Sequence, residues 1–312
     1  TAVVALVLAV FVEEYIAFVA AQCCRYALLG RSLGLIWGYE GILSFCQAAF
    51  FGLGAYVMTW SFKYVFVPGI NPAYVALVLA PIVSGGLAGL LGLFLFYSDV
   101  KDVYFVIITL ALSVVLEQLG VSVSSIFGGF NGLPLPRMSL SIPGVFSYQL
   151  SNDRLFYYLP LLALGGGYAV CRRIVDSDFG ETLIAIRENE ERTKSLGYNT
   201  ARYKTQVFAV SGALAGIAGA LFATLTQFVS PPLTGFVLST EAVIWVAVGG
   251  RELLLGAIVG SIVVNAVSTV LSSAIATRYI LVLGLIFIAV VVTFRRGIMG
   301  YIADRLGWEG KL

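Results

Sequence analysis

The sequence predicts an all-α polytopic membrane helix bundle with about eight transmembrane helices, re-entrant or broken segments and one cytoplasmic helical insert. Three observations carry this. The chain is 59% hydrophobic with only 12% charged residues, and its mean hydropathy is +0.95. Its apolar runs approach the ~20 residues that a spanning helix needs. Finally, 13 of its 36 charged residues fall between Arg172 and Lys204, the one long polar run.

Taken in order, the apolar segments are 15–37, 41–60, 73–97, 103–126, 154–175, 203–225, 253–273 and 279–295. Thr1 to Val12 is too short to span and reads as the end of a trimmed helix; because the chain starts at Thr1 and not Met, a longer natural N-terminus is expected. Residues 41–60 are rich in Gly and small side chains, and 238–250 is short and ends in a Gly pair. Irregular backbone at membrane depth is tolerated only inside protein or along a cavity, so both are candidate pathway elements. All of this forms one membrane domain, 1–312, with an external loop at about 127–153 carrying Pro134, Pro136 and Pro143. With the 176–202 insert in the cytoplasm, twelve Lys/Arg lie on that side, the C-terminal ones included, against Lys63, Arg137, Arg154 and Arg278 opposite. Arg25, Arg31 and Arg251 stay unassigned. Gly212, Gly216 and Ala220 share one helix face, a small-residue stripe suited to close packing within the bundle.

Several chemistries are excluded. The chain has no histidine, which removes His-based acid–base and zinc chemistry. Cys23, Cys24, Cys46 and Cys171 lack metal or redox spacing and read as small buried hydrophobes. A net charge of +2 gives no footprint for nucleic acid. There is no GxxxxGK[ST] phosphate loop, so any ATP and Mg must be held by another polypeptide, and no cofactor is expected on this chain.

The insert reads as one amphipathic helix over 178–197. Phe179, Leu183 and Ile186 form the apolar stripe, Asp178 with Glu181 resembles a capping box, and Gly197 is the stop. Such a helix can dock in a partner's groove or lie on the bilayer surface. Polar residues at membrane depth are costly and mark either a pathway or helix–helix hydrogen bonds. The candidates are Tyr39, Glu40, Gln47, Thr109, Glu117, Gln118, Asn131, Glu241 and Asn265. A small neutral substrate suits Gln47, Thr109 and Asn131, whereas a zwitterion would want a carboxylate and a cation such as Glu241 and Arg251.

The run AIRENEERTKSLGYNTARYKTQVFAVSGALAGIAGALFA (Ala185 to Ala223) resembles the cytoplasmic loop and following helix of permeases of ABC importers of the branched-chain amino acid and urea class. GYEGILSFCQAAFFGLGAY, VYFVIITLAL, GGFNGL and STEAVIWVAVGGRELLLGAIVGSIVVN resemble further segments of that family, in order, over about 85% of the chain. RENEERTKSLGYN, GGFNGL and IWVAVGGR are most similar to the urea permease subfamily, while Glu252 and Gln47 depart from common family residues.

The resemblance implies a bacterial inner-membrane subunit with no enzymatic activity of its own. It would form a translocation pathway with a second homologous permease, driven by two ATP-binding cassette ATPases and fed by an external substrate-binding protein. Urea is the implied cargo and branched-chain or other amino acids the alternative. Arg187, Glu188, Glu190, Glu191 and Gly197 would belong to the ATPase-coupling helix, and Tyr39, Gln47, Thr109, Asn131, Glu241 and Asn265 to the pathway. A stand-alone secondary transporter or channel is the distant competitor, and no paired broken-helix pattern supports it.

Overall fold

A computed structural model describes residues 14–64, 71–98, 100, 102–136, 139–142, 146–149, 153–251, 253–274, 284 and 297–306. The expected segments 1–12 and 279–295 lie outside the described residues, apart from Gly284. Twelve α-helices are described: α1 Glu14–Leu35, α2 Gln47–Tyr64, α3 Pro72–Tyr97, α4 Asp102–Ser122, α5 Ser124–Phe127, α6 Asp153–Val175, α7 Asp178–Glu188, α8 Glu190–Ser195, α9 Thr200–Thr226, α10 Phe236–Gly249, α11 Leu254–Ala274 and α12 Gly297–Leu306. Four described helical segments are long and apolar enough to cross a bilayer: Pro72–Tyr97, Val103–Ser122, Thr200–Thr226 and Leu254–Ser272. The 14-residue α10 is a shorter apolar helix.

α9 is the central helix. Its most apolar window is 78% buried, against 22–28% for the other three. The small-residue stripe explains this. A Cβ on Gly212 would strike Ala88, one on Gly216 would lie 2.5 Å from the Ser84 hydroxyl, and one on Gly219 would collide with the Phe51 carbonyl. The stripe therefore packs inside the chain, against α2 and α3. α3 and α4 turn large apolar side chains outward, among them Ile82, Leu90, Phe94, Val103, Tyr104 and Val115, as expected of helices facing lipid or another subunit.

Two arginines are buried on α1. Arg25 donates to Ala21 O (3.1 Å) and Phe222 O (3.3 Å) and lies over the Phe222 ring. Arg31 donates to Leu254 O and lies over Tyr168. They tie α1 to α9, α11 and α6, so these unassigned cations belong to the bundle interior.

Several expected boundaries shift. The 41–60 segment is not one helix. α1 runs on through a π-helical turn, Ile36–Glu40, which closes at Gly41 (φ +84°). Residues 41–46 are not helical, and α2 starts only at Gln47. The loop at 127–153 carries short strands among its described residues: β1 Leu133–Pro134, and β2 Ser139–Ile142 paired antiparallel with β3 Phe146–Gln149. β1 pairs with β4, Phe228–Val229, at the far end of α9. Proline and glycine in 127–153 obscure these strands in the sequence.

Candidate functional site

The charged insert is two helices, not one. Ser177 precedes α7 in extended backbone and its carbonyl receives the Gly180 and Glu181 amides; Asp178 sits inside the helix, so the expected capping box is replaced by acidic side chains in the first turn. At Asn189 the backbone extends (φ −160°, ψ 98°), and its side chain accepts from Arg192 N at 2.9 Å, starting α8. Gly197 (φ +92°) ends α8, as its type suggests, and Asn199 caps α9 through Arg202 N.

The apolar stripe of α7 is used within the chain. Leu183 and Ile186 are buried, and Phe179 stacks near Tyr203 with ring centroids 5.1 Å apart. The stripe is thus not a face for a partner groove, because the chain's own bundle covers it. What remains outward is the charged flank with Glu188, Glu191 and Arg192, together with Leu196 and Tyr198, which are 72% and 47% exposed.

Glu190 is the anchor between insert and bundle. Its carboxylate receives Lys204 Nζ at 2.5 Å and the Thr200 hydroxyl at 2.9 Å, with Lys194 Nζ at 3.3 Å. Partial burial works against its charge, yet the bond from Lys204 prevails and holds the carboxyl below its ordinary value of 4.5. Arg187 reaches the other way, donating to Gly38 O at 2.5 Å in the π turn and to Glu188 at 3.1 Å. A Cβ on Gly41 would lie 2.7 Å from Arg187 Cγ, so the absent side chain lets Arg187 cross the turn. Among the described residues, Glu191 and Gly197 form no such tie to the bundle. Around this junction lies a cavity of about 450 Å³ lined by the π turn, the α7–α8 break, Lys204 and Arg251.

The π turn leads into the non-helical stretch 41–46, whose backbone is satisfied by side chains. Phe45 N donates to the Thr109 hydroxyl at 3.2 Å, and the Ser113 hydroxyl donates to Phe45 O at 2.5 Å. Ala48 N donates to the Ser239 hydroxyl at 3.1 Å. Gln47 donates to Ser211 at 3.1 Å and accepts from Ser32 at 3.2 Å, linking α2 to α9 and α1. A break at this depth requires such partners.

The six pathway candidates fall on several elements, with Tyr39, Gln47 and Thr109 beside the 36–47 stretch. Gln47 and Thr109 are buried and bonded around the broken segment. Tyr39 is buried in the π turn, Asn131 is exposed in the 3₁₀ turn Gly129–Asn131, and Asn265 bonds Ser261 O within α11 at 2.8 Å. Glu241 is exposed on α10. Arg251 lies in the turn beyond the end of α10 at Gly249, which is itself about 12 Å along the helix axis from Glu241. Glu117 lies against Gly235 at the start of α10, where a Cβ would collide with its carboxylate. Ser32, Ser113, Ser211 and Ser239 escape sequence reasoning because serine is unremarkable in an apolar helix; their only signal is depth. Among the described residues no group of three or more His, Cys, Asp or Glu is placed to hold a metal.

Residues 15–291 match the family described as branched-chain amino acid transport system / permease component. The chain is 29% identical to the high-affinity branched-chain amino acid transport system permease protein LivM of Salmonella typhimurium, over 74% of this chain and 58% of that protein. It is 28% identical to LivM of Escherichia coli over the same shares. The autoinducer 2 import system permease protein LsrC of Klebsiella pneumoniae is 32% identical over 45% of this chain and 40% of that protein. The matches thus span little more than half of the two LivM proteins. No solved structure matches the chain.

Proposed function

We propose, from the premise that this chain belongs to the branched-chain amino acid transport permease family, that it is the transmembrane subunit of an ATP-driven importer. It pairs with a second permease and receives branched-chain amino acids from an external binding protein. Two ATPases dock on the cytoplasmic face and carry the ATP and Mg. The insert and the C-terminus are cytoplasmic, as the distribution of Lys and Arg favours. The observation that carries this reading is the α7–α8 insert. Its apolar side is committed to the bundle, its charged side is free for a partner, and Arg187 joins it to the start of the broken segment. ATPase closure on α7–α8 then moves the π turn and residues 41–46, a two-state element biased by a remote ligand.

The test is reconstitution of the complete importer in lipid, with ATP hydrolysis measured against leucine-loaded and urea-loaded binding protein. Stimulation by leucine supports the amino acid reading, and transport by this chain alone would refute the importer. Urea is the second reading, favoured by the phrases RENEERTKSLGYN, GGFNGL and IWVAVGGR, and stimulation by urea alone would put it first.

A further inference from the structure

The outer side of α10 carries a carboxylate at membrane depth. Glu241 is exposed there and makes no hydrogen bond or ion pair among the described residues. Tyr26 on α1 is near enough to feel its charge but supplies no cation. Hydrogen bonds fix its depth. Ser239, two residues earlier, receives the Ala48 amide, and the adjoining Gln47 donates to Ser211. Ser211 lies about 16 Å from the start of α9 at Thr200 and about 22 Å from its end at Thr226. Glu241 therefore sits near the middle of the layer that α9 crosses. Val237, one turn before it on the same side, is 68% exposed. The outer side of α3 differs: Val78, Ile82, Leu90 and Phe94 project from it, and this helix has no charged or amide side chain.

A carboxylate in the middle of the hydrocarbon is costly, and such groups face protein or water, not lipid. The outer side of α10 thus needs a cover that α3 does not. A second copy of this chain is a poor one. A two-fold pair through this side brings like carboxylates together in a low dielectric. Among the described residues, that copy also offers no cation at this depth. Arg25 and Arg31 are buried on carbonyls of their own chain, and the other Lys and Arg lie near helix ends or on the insert. We propose that the second permease, a different chain, packs on the outer side of α10 over Val237 and Glu241. It presents a cation or an N–H donor to the Glu241 carboxylate, while the outer side of α3 faces lipid. This rests on the reading that the chain pairs with a second permease; the place and chemistry of the contact go beyond it.

The experiment places the photo-reactive residue p-benzoylphenylalanine at Val237, and separately at Ile82 on α3, in membranes holding the complete importer. Adducts are identified by mass spectrometry. Val237 is expected to give an adduct with the second permease and Ile82 adducts with lipid alone. Lipid adducts alone at Val237, a self-adduct there, or a permease adduct at Ile82 overturns the proposal. A second variant tests the carboxylate. Glu241→Leu should weaken retention of the second permease in detergent about 3- to 20-fold, the range of one interhelical hydrogen bond. Glu241 is exposed, so the isolated variant should melt as the native chain does. Native retention by Glu241→Leu overturns the contact. The two readings separate cleanly. A native chain that retains no second permease overturns the importer and this face with it. A second permease that is retained yet never reaches Val237 overturns the face and leaves the importer.

Discussion

Lys204→Met should loosen the insert and leave the bundle intact. Lys204 and Glu190 tie α8 to α9, with side chains 8% and 31% exposed. Breaking a fully buried pair costs about 3–5 kcal/mol, because the remaining charge is left without compensation. Glu190 is partly wet here and keeps Thr200 and Lys194, so about 1–2 kcal/mol is the appropriate figure. At 1.4 kcal/mol per decade, the open population of the insert rises about 5- to 30-fold. Amide hydrogen exchange reads this directly. Peptides within 178–199 should exchange faster by that factor, while those from the centre of α9 should not change. A double-mutant cycle with Glu190→Gln should return an interaction of about 1–2 kcal/mol. The Glu190 carboxyl is held below its ordinary value, so its contribution is complete above pH 4.5 and disappears as pH falls through the folded value. Native protein and Glu190→Gln should therefore converge in acid. Unchanged exchange in 178–199, or equal acceleration throughout α9, refutes the anchor.

In the reconstituted importer, Glu190→Lys should uncouple ATP hydrolysis from delivery while Glu191→Lys retains most coupling; equal effects would remove the distinction between anchor and surface. Gly219→Val should prevent α2 and α9 from meeting, an overpacking cost above about 3 kcal/mol visible as lost monodispersity on gel filtration, whereas Gly86→Ala, with open space around its Cβ, should melt at or slightly above the native temperature. Thr109→Val and Ser113→Ala each strip a partner from Phe45 and should lower stability by about 1–3 kcal/mol, read as a drop in melting temperature. Gln47→Leu should lower stability similarly with the substrate KM unchanged, and a large KM change with native stability would return it to the pathway.

The bundle was legible because lipid imposes one rule, that a span must be long and apolar, and α3, α4, α9 and α11 obey it. The glycine stripe of α9 was legible for the same reason, since only close packing explains small residues at that spacing. The insert was legible as charged and amphipathic, but its break was not. Asn189 lies in a polar run where a cap and an ordinary helical residue look alike, and only its extended backbone distinguishes them. The direction of the stripe was equally hidden, because Leu183 and Ile186 suit a partner's groove as well as the chain's own bundle. Gln47 and Thr109 drew attention as polar groups at depth, but polarity does not tell a pathway from a tie. That depends on Ser32, Ser211 and the backbone of Phe45, which lie far away in sequence.

These ties also explain why the break in the chain falls at 41–46. A helix interrupted there exposes backbone groups that lipid cannot satisfy, so the break needs partners from several elements at once. α4 supplies Thr109 and Ser113, α10 supplies Ser239, and α1 and α9 hold Gln47 at the restart. A movement of the π turn therefore reaches four helices through single hydrogen bonds, which exchange partners more readily than packed apolar faces shift. Arg187 is the insert's described hydrogen-bond contact to that turn, and Gly41 is the position where it crosses. The segment most able to move is thus the one bonded to the insert, whereas the glycine-packed α2–α3–α9 core beside it is the part least able to yield.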